Sequence, residues 1–304
     1  MFKKVRVIKN PHAGLHGTQA HWFEHIQRVW DVDGCQLTYQ FSKSPEDGKV
    51  KVRQAIEDGV ECVLLIGGDG LMNTLGTELV GTDCVMGVLP GGSGNGFARH
   101  FNIPMAPDKA VESLANGKVM EIDVGVANGH HFFVTCSMAW DAALVRSVEK
   151  APIRGVLPYF LAAAVETFQY KPGRFTFVMD DESEMAYDKP MIFTVANMTQ
   201  YGGGARIAPH ACPNDGYLEL VAMAQEDMAK KVHLLFKLFD GTVEEVKEVY
   251  MDRFQKLVVQ REFPGPIQVD GELLETDQEI SIDVIRQGIK VLVPASYKDR
   301  EPRL

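Results

Sequence analysis

Residues 62–79, "CVLLIGGDGLMNTLGTEL", decide how the first half of this chain folds. A continuous apolar run leads into a glycine turn, and the turn opens onto a segment of helical composition. Apolar runs of this kind belong to strands buried on both faces, as in a parallel sheet. Glycine turns between strand and helix are where proteins hold phosphate, because unpaired backbone N–H groups and the helix dipole attract anions. Asp69 sits inside this turn, where a bare carboxylate repels phosphate. Two readings accommodate it, and they are compatible. Either it helps hold a Mg²⁺ that bridges phosphate oxygens, directly or through water, or it caps the helix that follows, a position Asp favours.

The same rhythm extends on both sides. "VRVIKN" precedes the helix-like "GTQAHWFEHIQRVW", and "QLTYQFS" precedes "SPEDGKVKVRQAIEDG", where Ser44 and Pro45 form an N-cap and first helical position. "VMGVLP" then leads into "GFARHF". Alternating strands and helices predict a parallel sheet flanked by helices over residues 1–124. In such a sheet, ligands bind outside the carboxyl ends of the strands. Three loops emerge there: "NPHAG" (10–14), "GGDG" (67–70) and "PGGSGNGFAR" (90–99). Two are glycine-dense and both follow apolar strands, which points to phosphate binding beyond turn geometry alone. No G-x-x-x-x-G-K-[ST] occurs, and "GGDGLM" lacks the third glycine of a dinucleotide fingerprint.

The texture changes near residue 120. "MEIDVGVANGHHFFVTCSMAW" reads as two strands joined at Asn128-Gly129, a strong hairpin signal. "RFTFVMD", "MIFTVANMT", "YLELVAMA", "KLVVQRE", "PIQVDGELLE" and "EISIDVI" are further strands, with helical insertions at "LPYFLAAAVETFQY" and "MAKKVHLLFKLF". Residues 125–286 therefore read as an antiparallel β-sandwich-like domain. The final segment, about 287–304, is expected to pack back on the first domain, and a cleft is expected between the two domains.

The chain of 304 residues carries a net charge of −10, which argues against nucleic acid as a partner and against diffuse attraction to anionic membranes. It shows no secretory h-region and no apolar run long enough to span a membrane. Five cysteines without a C-x-x-C pair read as reduced thiols of a cytoplasmic protein. His21 and His25 have helical i, i+4 spacing, but no third ligand accompanies them.

Five segments in order, "NPHAG", "GGDGLMNTL", "LPGGSGNGFAR", "YGGGARIAPHACPNDGYLEL" and "QVDGELLE", resemble the diacylglycerol kinase catalytic-domain family, which includes bacterial lipid kinases and the sphingosine and ceramide kinases. The resemblance spans nearly the whole chain. It implies an ATP-dependent lipid kinase with an α/β nucleotide domain, a β-rich lipid-substrate domain, the active site with ATP in the interdomain cleft, and peripheral membrane contact. Carried over by residue, it places Asn10, Ser42, Gly67, Gly68, Asp69, Gly70, Asn73, Gly92, Ser93 and Asn95 around the nucleotide, with Asp69 also at Mg²⁺. Asp69, Asp270 and Glu272 fall at catalytic positions, Glu272 as proton acceptor; the plainer reading of "DGE" is a hairpin turn. Asp141 falls near the lipid head group. Asp215, with the carbonyls of Cys212 and Tyr217, matches a second, structural Mg²⁺ or Ca²⁺ site, against which stands an ordinary Asp-Gly turn.

The resemblance is incomplete. Gly96 stands where many bacterial members have Asp, and Leu71 and Thr74 replace Thr and Glu, which brings the loops nearer the sphingosine and ceramide kinases. "GVLPYFLAAAVETF" and "KKVHLLFKLFDG", the latter with Lys230 and Lys231, suit either a membrane-facing surface or ordinary core packing. Two other functions remain open: a kinase of a soluble substrate such as NAD, and a non-catalytic lipid- or nucleotide-binding regulator. The oligomeric state is not readable.

Overall fold

The computed structural model describes residues 2–9, 19–31, 34–139, 173–180, 182–224 and 228–299. These divide into two compact units, one formed by Met1–Ile122 with Gln287–Asp299 and the other mainly by Asp123–Arg286.

The first unit follows the alternation of its sequence. Its elements are β1 (Lys4–Lys9), α1 (Gln19–Trp30), β2 (Gln36–Phe41), α2 (Pro45–Glu57), β3 (Cys62–Gly67), α3 (Asp69–Gly76), β4 (Val85–Pro90), α4 (Gly96–His100) and α5 (Pro107–Ala115). The sheet runs β2-β1-β3-β4, all parallel. β3 and β4 are buried along their whole length, as continuous apolar runs require. Ser44 caps α2 as expected: its hydroxyl accepts the Asp47 N–H at 3.2 Å, and Pro45 occupies the first turn. α5 was not anticipated, although Pro107 at its start and buried Ala110, Val111 and Leu114 carry the usual helix signals. Residues 291–292 pair with β4, and Tyr297 donates to or accepts from the Nε2 of buried His100 at 3.0 Å.

β5 (Lys118–Ala127) leads into the second unit and turns at Asn128 (φ 46°) and Gly129 (φ 83°) into β6 (His130–Phe132), the expected Asn-Gly hairpin. Then come β7 (Thr135–Ser137), β8 (Arg174–Met179), β9 (Met185–Asp188), β10 (Pro190–Ala196), β11 (Gln200–Gly202), β12 (Ala205–Arg206), β13 (Leu218–Ala224), α6 (Met228–Asp240), β14 (Val249–Phe254), β15 (Lys256–Arg261), β16 (Gly265–Val269), β17 (Glu272–Thr276) and β18 (Glu279–Val293). One antiparallel sheet has the order β14-β13-β10-β7-β16-β17, and a second antiparallel set pairs β9-β8-β15 with residues 279–283 of β18. Alternate residues of the two sets face each other. Phe175 and Phe177 meet Phe193 edge-on, with Cys136, Leu220, Phe254, Leu257, Ile267 and Ile280 around them. This is the sandwich core.

The other face of the six-stranded sheet is covered by α6, which buries Leu234 and Leu238 and leaves Phe236 70% and Phe239 45% exposed. The expected helix at "LPYFLAAAVETFQY" lies outside the described residues.

Gly125 in β5 faces Phe132 across the hairpin, and a Cβ there would lie 2.1 Å from Phe132 Cζ. With Phe132 fully buried, Gly125→Ala is expected to cost about 1–3 kcal/mol. The check is a fall in the urea midpoint at unchanged m-value; an unchanged midpoint would show that the ring swings aside freely.

Candidate active site

β3 ends at Gly67, Gly68 is the N-cap of α3 in extended conformation, and Asp69 is the first helical residue. Asp69 does not cap its own helix. Its carboxylate crosses to the next loop, where Oδ2 accepts the Gly96 N–H at 2.9 Å and Oδ1 accepts the Phe97 N–H at 3.1 Å. These are the first two N–H groups of α4, which has no side-chain cap of its own. The reason is Asn95. It adopts the left-handed region (φ 51°) and turns its side chain back, accepting the Gly92 N–H at 2.9 Å and donating to Gly92 O at 2.8 Å. The expectation that Asp69 caps the following helix is thus corrected: it caps the helix after the next strand. Partial burial pushes the Asp69 carboxyl above the usual carboxylate range, while the N–H groups of Gly96 and Phe97 pull the other way.

The glycines have a packing role between the same two loops. Gly91 N–H donates to Gly67 O at 2.8 Å. A Cβ on Gly92 would lie 2.5 Å from Gly68 Cα, and one on Gly68 would lie 3.1 Å from Gly92 Cα. Backbone meets backbone there, and no side chain fits between. Gly92 and Ser93 are exposed, Gly70 and Asn73 half-buried. Ser42, after β2, is buried with its N–H on Lys9 O at 2.9 Å. Gly67, Gly68, Asp69, Gly92 and Asn95 therefore form one surface at the carboxyl ends of β3 and β4. Asn10 lies outside the described residues, as does the side chain of His21.

In the second unit, Asp270 (φ 47°) and Gly271 (φ 95°) make the two-residue turn between β16 and β17, so the hairpin reading of "DGE" is right about the backbone. The side chain does more. Asp270 is 2% exposed, and its Oδ2 accepts the Phe133 N–H at 2.7 Å while Oδ1 accepts those of Val134 at 2.8 Å and Thr135 at 3.0 Å. Three consecutive N–H groups converging on one carboxylate make a strong anchor. Asn197 holds the same stretch, donating to Phe133 O at 3.0 Å and to Asp123 O at 2.8 Å; Asp123 in turn accepts the Gly216 N–H at 2.6 Å. Asp123 and Asn197 were missed from the sequence, where the one signal is an acid set in an apolar strand. Glu272, the first residue of β17, is exposed. Asp270 anchors the turn that carries it.

The expected oxygen site at Asp215 has a different partner. Asp215 Oδ2 accepts from Arg253 at 2.6 Å, Oδ1 accepts the Tyr217 N–H at 3.0 Å, and the guanidinium lies 4.6 Å from the centroid of the Tyr217 ring. Burial raises the Asp215 pKa, against the pull of the Tyr217 N–H and Arg253. The Cys212 thiol donates to Asn214 Oδ1 at 3.0 Å. In this arrangement Asp215 is paired with a side-chain cation, Arg253. Among the described residues no three His, Cys, Asp or Glu groups cluster as a metal site. Asp141 lies outside the described residues.

Known proteins are similar to this chain over nearly its whole length. Residues 4–127 match the family described as "Diacylglycerol kinase catalytic domain", and residues 134–293 the "YegS C-terminal NAD kinase beta sandwich-like domain". A protein of Mycobacterium tuberculosis named diacylglycerol kinase is 32% identical over 300 residues, covering 96% of this chain and 95% of its own. A Serratia proteamaculans protein named "Probable lipid kinase YegS-like" is 26% identical and covers 80% of each chain. The crystal structure of a diacylglycerol kinase from Bacillus anthracis shares the fold, with a TM-score of 0.76 at 19% identity over 98% of this chain and 99% of that one. The chain belongs to the diacylglycerol kinase catalytic-domain family of lipid kinases.

Asp270→Asn keeps the shape but sets an NH₂ donor against backbone N–H donors. It is expected to cost about 2–4 kcal/mol of stability, read as a lower denaturant midpoint. Full stability with loss of turnover alone would instead make Asp270 a reacting group.

Proposed function

We propose that this protein transfers the γ-phosphate of ATP to a lipid hydroxyl of diacylglycerol or sphingoid type. The observation that carries this reading is the surface at the ends of β3 and β4, where two glycine turns are held together by the Asp69 carboxylate on the N–H groups of Gly96 and Phe97. Exposed backbone at Gly92 and Ser93, with Gly67, Gly68 and Gly70 beside it, suits the phosphates of a nucleotide. Ser42, Asn73 and Asn95 would support the same ligand, and Asn10 would join them.

Mg²⁺ belongs to this proposal. Asp69 is the carboxylate of this surface and would help hold the ion through water. When bound, the ion would neutralise charge on the phosphate oxygens. The protein's own part is orientation. Phosphoryl transfer passes through a loose transition state, so the acceptor hydroxyl must lie in line and lose its proton late. Glu272 is exposed at the head of β17 and would accept that proton, with Asp270 setting its position. Asp141 would meet the lipid head group.

No described helix is long and apolar enough to cross a membrane, and the lipid would be met from the bilayer surface. The exposed rings of Phe236 and Phe239 on α6 suit such contact better than its lysines do. Lys230 is paired with Glu248 at 3.0 Å and Lys237 with Glu245 at 2.6 Å. The side chain of Lys231 is outside the described set.

The test is phosphoryl transfer from labelled ATP with Mg²⁺ in mixed micelles, offering diacylglycerol, sphingosine, a ceramide and a monoacylglycerol separately, with NAD as a soluble control. Product is expected on one lipid and not on NAD. Glu272→Gln should lower the rate at least about a hundredfold, the ordinary size of general-base assistance, while ATP affinity holds. Full activity in Glu272→Gln would remove the proposed base, and product on NAD alone would replace the lipid reading.

A further inference from the structure

Arg6 stands in the first half of β1, and its side chain is 9% exposed. Nη2 donates to Asp58 Oδ2 at 2.8 Å and Nε donates to Thr38 Oγ1 at 3.4 Å. Nη1 is buried and has no hydrogen-bond partner among the described residues. A buried guanidinium N–H without an acceptor costs about as much as a lost hydrogen bond, so an acceptor at that atom stabilises it.

Beside Arg6 is a cavity of about 220 Å³, lined by Lys4, Arg6, Gln36, Thr38, Asp58 and Val60. Strand register explains the grouping. In the parallel pair β1-β2, Lys4 lies opposite Gln36 and Arg6 opposite Thr38, which sets four polar residues on one face of the two strands. Asp58, the C-cap of α2, completes the group: its carbonyl accepts Lys4 Nζ at 2.9 Å and its carboxylate accepts Arg6. The hydrogen bond from Arg6 holds the Asp58 carboxyl below the usual carboxylate range, so this pair is ionised at neutral pH. The lining therefore carries two cations and one carboxylate, an excess of one positive charge. A polar cavity of this size holds water or a small oxyanion. The excess charge and the uncommitted Nη1 favour the oxyanion.

We infer that Arg6 Nη1, Lys4 Nζ and the side chains of Gln36 and Thr38 form a binding site for a phosphate group. A tetrahedral phosphate presents oxygens in several directions, which suits donors arriving from two strands. The site lies at the amino ends of β1 and β2, whereas the two glycine loops leave the carboxyl ends of β3 and β4 in the same parallel sheet. It is thus separate from the candidate nucleotide surface and does not rest on the kinase reading. Two sources carry the required chemistry, free inorganic phosphate and the head group of a lipid phosphate monoester.

Calorimetric titration of inorganic phosphate into the full chain at constant ionic strength tests the site in wild type, Arg6→Gln and Lys4→Gln. Lys4 is exposed, so its variant remains informative if loss of the Arg6–Asp58 pair unfolds the other. Co-sedimentation of the same proteins with phosphatidylcholine vesicles, with and without phosphatidic acid, separates the two sources. Phosphate affinity should fall at least about tenfold in Arg6→Gln, the ordinary size of a lost charge-assisted hydrogen bond. In Lys4→Gln it should fall about threefold, since an exposed ammonium contributes less. Vesicle retention that needs phosphatidic acid and falls in the variants would assign the site to a lipid head group, and phosphate binding without such retention would assign it to the free ion. Wild-type protein that neither binds phosphate nor needs phosphatidic acid for retention would mean that water fills the cavity, and the site would be overturned. Equal binding by all three proteins would place the phosphate elsewhere, the glycine loops included, and would overturn it as well.

Discussion

The carboxylate of Asp69 reaching the first N–H groups of α4 is the contact on which the joined glycine loops of the first unit depend. α4 is five residues long and begins from a left-handed Asn95 whose own side chain is committed to the loop. A helix so short cannot hold itself together, and its free N–H groups need an acceptor from elsewhere. Asp69 supplies one from the neighbouring strand's turn. The two glycine loops can then come close enough for Gly92 and Gly68 to touch through their backbones. An acid in a glycine turn proposed to hold phosphate is no contradiction when its charge is spread over N–H donors of the adjoining loop.

The second unit repeats this solution. Asp270 sits in a two-residue turn, and its carboxylate gathers three successive N–H groups from the stretch after β6. In both units a buried or half-buried acid gives up solvent for backbone donors and, in return, fixes a turn beside an exposed group that the proposed function uses. For Asp69 that group is the open backbone at Gly92 and Ser93; for Asp270 it is Glu272. Asp215 follows the same rule with a side-chain partner, Arg253.

Local signals were legible in the sequence because they act over a few residues. Buried β3 and β4, the Ser44-Pro45 cap, the Asn128-Gly129 hairpin and the Asp270-Gly271 turn all follow from propensity and pattern. The glycine loops were legible as candidate phosphate sites, although their mutual packing was not. What could not be read involves partners far apart in the chain. Asp69 meets residues 96 and 97, Asp270 meets 133 to 135, and Arg253 meets Asp215, and no local pattern announces such a pairing.

Amide hydrogen exchange at Gly96 and Phe97, in the unliganded protein and in Asp69→Ala, tests the central contact most directly. If Asp69 holds α4, both amides exchange slowly in the wild type and at least about tenfold faster in the variant, with the amides of β3 and β4 unchanged. Equal exchange at the two positions in both proteins would mean that α4 stands without Asp69, and the account of the joined loops would fail.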